Sequence, residues 1–393
     1  MGIQIETGQR GLTDPVMQKV IADAVPDQPL ESNRKMNYFV KPRGRRLSEY
    51  EILCCYTQPT PDWIPGGLDW GDWTQKFHGG RPSWGNETTE MHSTDWHKHR
   101  DPAKRWHAIY VKDKAEEWRY TQRFLKQFSS DGQIRTMDPV WRDEVLNDYL
   151  GAFCFNEYGL FNSHSSATRD CLGDTLRMSI AMIGLDKVDN AQMIQLERTF
   201  LAKLVPDFPE STDQPKKEWT EGAIYKGARE TVEDIWQDTY DWNEILWAGH
   251  QVHDAIFGQF VRREFFLRLS SYYGDNLTPF FINQMQLYHS QTKGITGDMF
   301  FHCLGDDAEF GDYNRRLMRA WTDKWLPRTV NALKDFMGIF AKIPEIEHVT
   351  TKDAIETALN RVFDDWTEDY ADKIGYKADK AAMIKTVLSG LKK

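Results

Sequence analysis

DPVWRDEVLNDYLGAFCFNEYGLFNSH, residues 138–164, decides the architecture of this chain. Asp138 followed by Pro139 is a helix start: the carboxylate can accept orphan N–H groups, and proline's missing N–H costs nothing in a first turn. The middle of the stretch, Gly151 to Phe155, reads GAFCF and is apolar on every side. Such a helix must be surrounded by others rather than lie on a surface.

Working outward, the periodicity predicts more helices. Ala115, Trp118, Leu125 and Phe128 share one face of a helix from about Val111 to Asp131–Gly132. Two patterns cover 166–184 and 187–205, and Pro206, Pro209 and Pro215 mark 206–218 as a loop. Residues 221–240 place Ala228, Val232, Ile235, Trp236 and Thr239 on one face, and a longer helix follows from Asp241 to about Tyr273. Thr278–Pro279 repeats the cap-and-proline start, and 307–343 is helical with a break or kink expected at Pro327. Ile355, Leu359, Val362, Trp366 and Tyr370 form a last stripe. No run of strand alternation competes, so the expected fold class is all-α, a bundle of long helices.

Proline and tryptophan divide the chain. The expected organisation is an extended arm over 1–44, an irregular aromatic-rich interface segment over 45–110, and a helical domain over 111–393. Residues 57–107 hold six Trp with no helical face to join, and aromatics carrying one polar atom favour subunit contacts. Deleting 1–44 is expected to impair assembly more than folding.

Composition removes several function classes. With 15 Trp, 15 Tyr and 21 Phe among 393 residues the chain is not disordered. A net charge of −10 and a pI near 5.6 argue against a nucleic-acid surface. No apolar run approaches membrane-spanning length, and MGIQIETGQRGLTDP is not a signal peptide. Cys54, Cys55, Cys154, Cys171 and Cys303 form no C-x-x-C, which fits buried thiols in a reducing cytoplasm.

Nucleotide loops and nucleophile elbows are missing. A bundle could hold a carboxylate-bridged di-iron centre, which needs Glu-x-x-His on two helices because residues three apart share a face. Only Glu345–His348 matches, in an expected loop beside Pro344. Glu157 and His164, seven apart, share a face; an altered metal site is one account, and a buried carboxylate paired with Arg or His across the bundle is the better one. His250, His253 and Asp254 cluster on their helix as an incomplete ligand set, for which satisfied core polar groups are the better account. His78, His92, His97, His99 and His107 lie among Asp69, Asp72, Glu87, Glu90 and Asp95 in no known ligand frame, and read as hydrogen-bonded interface residues. The expected site list is empty: no catalytic, cofactor-binding or metal residue on this chain.

The segment DWIPGGLDWGDWTQKFHGGRPSWGNETTE (62–90) resembles the β chains of soluble methane monooxygenase hydroxylases, in the bacterial multicomponent di-iron monooxygenase family. So do RGLTDP (10–15), HRDPAKRWH (99–107), NEYGLFNSHS (156–165), DWNEILWAGH (241–250), FGQFVRREFF (257–266) and GDNLTPFF (274–281), in order over nearly the whole chain. Pro65 stands where that family has Ala. The resemblance implies a ferritin-like helical fold in an α2β2γ2 assembly, with contacts to α, γ and a second β chain. It implies a di-iron centre on the partner α chain, FAD and [2Fe–2S] on a separate NAD(P)H-dependent reductase, a cofactor-free regulatory protein, and methane oxidised to methanol. This chain would be the catalytically silent partner. The β chain of a related alkane or alkene (butane) monooxygenase, or a stand-alone helical binding protein with a site near His78–His107, are the other readings.

Overall fold

The computed structural model describes residues 49–51, 89–94, 96, 98–171 and 174–391. The expected arm over 1–44 and most of the Trp-rich segment, with Cys54, Cys55, His78 and His97, lie outside the described residues.

Helix α1, His107–Asp131, ends where Gly132 adopts a left-handed φ of 63°. Asp138 then caps α2 as its sequence predicts, its Oδ1 accepting from Trp141 N at 2.9 Å. Helix α2 comprises Trp141–Leu150, with π-type turns, continuing into Gly151–Asp170. α3 is Asp174–Leu204, α4 Asp213–Glu221 and α5 Lys226–Gln237. α6 runs unbroken through Trp242–Leu246, Trp247–Gly258 and Phe260–Leu267. α7 is Thr278–Gly297 extended by Asp298–Gly305, α8 Gly311–Phe336, α9 Lys352–Trp366 and α10 Lys380–Leu388. The described residues contain no strand.

Helices α2, α3, α6 and α7 form the central bundle: α2 lies along α3, α3 along α7, α7 along α6, and α2 meets the start of α6. α5 and α8 close the outside against α2 and α6. A Cβ on Gly159 would stand 2.3 Å from Val232 Cγ1, so glycine there sets how closely α2 and α5 approach.

Several boundaries differ from the sequence expectation. The two patterns over 166–184 and 187–205 divide differently: 166–170 close α2, and 174–204 form one helix, α3, which runs through Gly184, where a Cβ would stand 3.1 Å from His164 Cβ on α2. The expected loop 206–218 contains α4; Pro215 sits in its first turn, where the lost N–H has no intrahelical partner. Thr278 does not cap α7: Asp275 does, accepting from Leu277 N at 2.9 Å and Thr278 N at 3.0 Å while Trp141 Nε1 donates to its other oxygen at 2.9 Å. α8 continues through Pro327, since Trp325, Leu326, Val330 and Leu333 are buried on either side and that burial outweighs the roughly 3 kcal/mol cost of an interior proline. Trp236 points outward at 42% exposure, unlike Ala228, Val232 and Ile235. Trp118 is 44% exposed, while α1 meets the bundle through Lys114 on Asp189, Glu117 with Tyr288, Phe124 stacked on Phe280 at 3.9 Å and Phe128 against Phe200.

Candidate functional site

At the centre of the bundle four helices contribute polar side chains to one cluster, whose charged members come from three of them. Glu157 comes from α2, Lys187 and Asn190 from α3, Asp254 and Arg262 from α6, and His289 from α7. Lys187 Nζ donates to Glu157 Oε2 at 3.0 Å and lies 2.8 Å from Asp254 Oδ1. Arg262 NH1 reaches Glu157 Oε1 at 2.7 Å and Asp254 Oδ1 at 2.8 Å. Asn190 Nδ2 donates to Glu157 Oε2 at 2.9 Å, and His289 Nδ1 donates to Asp254 Oδ2 at 3.0 Å. Both carboxylates are therefore bridged twice, by two cations.

Helix periodicity explains the gathering. Asp254 and Arg262 lie eight apart on α6, and Lys187 and Asn190 three apart on α3, so each pair shares an inward face. A Cβ on Gly258, between the α6 pair, would stand 2.3 Å from Asp254 Oδ1 and 3.0 Å from Arg262 NH1; glycine leaves room for the guanidinium to fold back. Burial opposes ionisation of Asp254, but Arg262, Lys187 and the His289 hydrogen bond outweigh it and hold its carboxyl well below the usual range. Burial likewise opposes the charge on Arg262, and Asp254 and Glu157 outweigh it. His289 is pushed down by burial, only partly offset by Asp254.

This donor set does not fit a two-iron group. Such a group in a helical bundle needs four carboxylates and two imidazoles. Here two carboxylates converge with one imidazole, and their inward oxygens already accept from an ammonium and a guanidinium that have no lone pair to offer a metal.

A second buried feature joins two histidines singled out from the sequence. His164 and His250 touch through their Nε2 atoms, and His164 Nδ1 donates to the Leu160 carbonyl. That fixes the tautomers: His250 donates to His164, leaving His250 Nδ1 a bare acceptor with no partner among the described residues. His253 instead donates through Nε2 to Asn156 Oδ1 at 2.9 Å. Burial pushes His164 down to about 4 and His253 down to about 3, and drives His250 well below its usual value. All three are neutral at physiological pH. Glu157 and His164, paired by sequence, thus serve different clusters, and so do His250, His253 and Asp254.

The segment over 89–106 straps the bundle. Thr89 Oγ1 and Glu90 N both donate to Asp241 at 2.6 Å, while Asp241 also caps α6 through Asn243 N. Asn314 holds His92 through its backbone N–H and carbonyl, and Arg105 NH1 reaches Asp186 at 2.8 Å. His99 is buried, with Nδ1 on Asp298 at 2.6 Å and Nε2 on Ser179 Oγ at 2.9 Å. Ser179–His99–Asp298 has the connectivity of an acyl-transfer triad, but Ser179 is 0% exposed, so no substrate reaches its hydroxyl. Cys303 Sγ, 3.6 Å from Asp298 Oδ2, completes a trio that could hold a metal, yet both ring nitrogens of His99 are engaged. Of the other histidines expected there, His92 packs on Phe310 and Tyr313 and His107 is exposed at the start of α1, so the described members do not converge. A surface depression of about 580 Å³ lies between α9 and α10, lined by Lys352, Glu356, Asn360, Lys380, Ile384 and Lys385 and by no residue of the centre. No helix of the described residues is long and apolar enough to cross a membrane.

Comparison with known proteins agrees with this architecture. The sequence is 62% identical over 384 residues to the β chain of methane monooxygenase component A from Methylococcus capsulatus (Bath), covering 98% of each chain. It is 58% identical over 389 residues to the corresponding β chain of Methylosinus trichosporium, covering 98% of this chain and 97% of that one. Phenol hydroxylase from Pseudomonas sp. OX1 has a chain of the same fold, with a TM-score of 0.64 and 16% identity over 86% of this chain and 98% of that one. The pattern of the Methane/Phenol/Alkene Hydroxylase family matches residues 73–307, and the chain belongs to that family.

Proposed function

We propose that this chain is the non-catalytic β subunit of the hydroxylase component of a soluble methane monooxygenase. It supports an α chain that carries the di-iron centre and oxidises methane to methanol with O2 and NAD(P)H. The observation that carries the silent role is the bundle centre, where Lys187 and Arg262 lie between the only two carboxylates that converge there among the described residues. No catalytic, cofactor-binding or metal residue is assigned to this chain.

The partners in this reading are α and γ chains in an α2β2γ2 assembly, a second β chain, a regulatory protein, and a reductase with FAD and [2Fe–2S], all in the cytoplasm. Large apolar side chains left uncovered on α1 support subunit contact: Ile109, Val111, Trp118 and Tyr120 are all exposed. Substrate choice belongs to the α pocket, so a butane- or alkene-oxidising complex is decided by assay.

The test is to purify the complex, separate its chains and quantify iron on each. Iron confined to the larger chain, with methane turnover by the intact complex, is the expected result. Two irons held by this chain would overturn the reading.

A further inference from the structure

The charge centre follows the geometry of a metal site whose cations are supplied by the protein. Di-iron bundles take one carboxylate from each of two helices and an i, i+3 pair from each of the other two, all pointing inward. Here the single carboxylates are Glu157 on α2 and Asp254 on α6. The i, i+3 pairs are Lys187 with Asn190 on α3 and His289 with the buried Thr292 on α7. Five of these side chains meet in the cluster, and Thr292 matches in spacing and burial; the residue types are not those of a metal site.

Charge explains what the substitution achieves. Glu157 and Asp254 contribute two negative charges, and Lys187 and Arg262 two positive ones, in a cluster with almost no water contact. Each cation touches both carboxylates, as a bridging metal ion would. An unbalanced charge cannot persist in such a place, because burial penalises any ion without a partner.

The geometry points to a metal site converted to an internal ion-pair centre, in which Lys187 and Arg262 hold the places of divalent cations and the bundle remains one step from binding a cation again. Exchanging Lys187 for a carboxylate and Asn190 for an imidazole gives three carboxylates against Arg262 alone. The deficit of two charges is met by one divalent cation, which would find a carboxylate–imidazole pair on α3 beside Glu157 and Asp254. The inference rests on the fold and the ion pairs, independently of which hydrocarbon the complex oxidises.

The experiment compares the assembled hydroxylase carrying wild-type chain with one carrying Lys187→Glu/Asn190→His, each titrated with Co2+ alone. The double variant should take up one additional Co2+ per copy of this chain, with new visible d–d absorption, and the wild type none at this centre. A folded double variant with no additional Co2+ overturns the inference. So does a wild-type Co2+ site that Asp254→Asn abolishes. A thermal cycle decides the matter if the double variant does not assemble. Lys187→Met should lower the melting temperature, and Lys187→Met/Glu157→Gln, which rebalances charge, should regain at least half the loss. No regain overturns the inference, while iron on the partner chain would be unaffected by either result.

Discussion

Lys187 Nζ on α3 lies 3.0 Å from Glu157 Oε2 on α2, and both side chains are removed from water. Neither charge could be buried alone. The same holds for Arg262, which is 0% exposed and bonded to both Glu157 and Asp254. Removing one member should therefore cost more than a surface ion pair is worth. Arg262→Met is expected to destabilise the assembled chain by about 3–5 kcal/mol, since it strands a buried carboxylate. Denaturant unfolding measures this, and a loss below about 1 kcal/mol would show that the pair is not desolvated.

The buried histidines set a pH dependence whose sign can be worked out. His253 falls from an ordinary value of 6.5 to about 3 in the folded chain, and His164 to about 4. Protons bind these groups more readily in the unfolded state. Their contribution is thus fully present above pH 6.5 and is lost as pH falls toward the folded values. Each contributes a slope of about 1.4 kcal/mol per pH unit in that window. Asp241, raised by burial to about 6, and Glu197, raised by burial, act in the opposite direction, so the difference between variants is the useful measurement. His253→Gln should flatten the stability curve between pH 6 and pH 4 by about that slope; an unchanged curve would refute the buried, neutral assignment.

The described residues of 89–106 are tied to the bundle through Asp241, Asn314, Asp186 and Asp298. Asp298→Ala leaves His99 Nδ1 without its acceptor in a buried setting and should cost about 1–3 kcal/mol. Hydrogen exchange should quicken at 89–106 before it does in α2 or α6. Ser179→Ala, in contrast, should leave turnover of the complex unchanged. A large loss of turnover would mean that the Ser179–His99–Asp298 connection does more than hold the strap.

The outward face of α1 separates assembly from folding. Trp118 is 44% and Tyr120 57% exposed, so Trp118→Glu/Tyr120→Lys should change the stability of the chain by no more than about 0.5 kcal/mol per site. The same exchange should reduce co-purification with the larger hydroxylase chain. Normal recovery of the complex would place the subunit contact elsewhere.

Much of this was legible in the sequence, for local reasons. Asp138 with Pro139, Asp131–Gly132 and the Ile355–Tyr370 stripe are signals carried within one or two turns, and the structure keeps all three. Where tertiary contacts compete with local preference, the expectation failed. Pro327 stays inside α8 because its neighbours are buried, and Thr278 yields the cap of α7 to Asp275. At the site, Lys187 and Asn190 have the Glu-x-x-His spacing without the ligand chemistry, so that motif gives no sign of them. Arg262 and His289 carried no mark beyond lying on apolar helices.

The sequence by itself determined that the chain is helical, where most helices begin, and that it lacks the paired Glu-x-x-His motifs of a two-metal bundle. Helical periodicity and capping are local, so residues three to eight apart suffice to express them. Only the tertiary structure decided which charges meet. Glu157 and Arg262 are 105 residues apart, and each helix face is compatible with several neighbours until the bundle closes. Once it does, the loss of water makes every unpaired charge costly, and that cost, rather than any motif, selects Lys187 and Arg262 as the partners of Glu157 and Asp254.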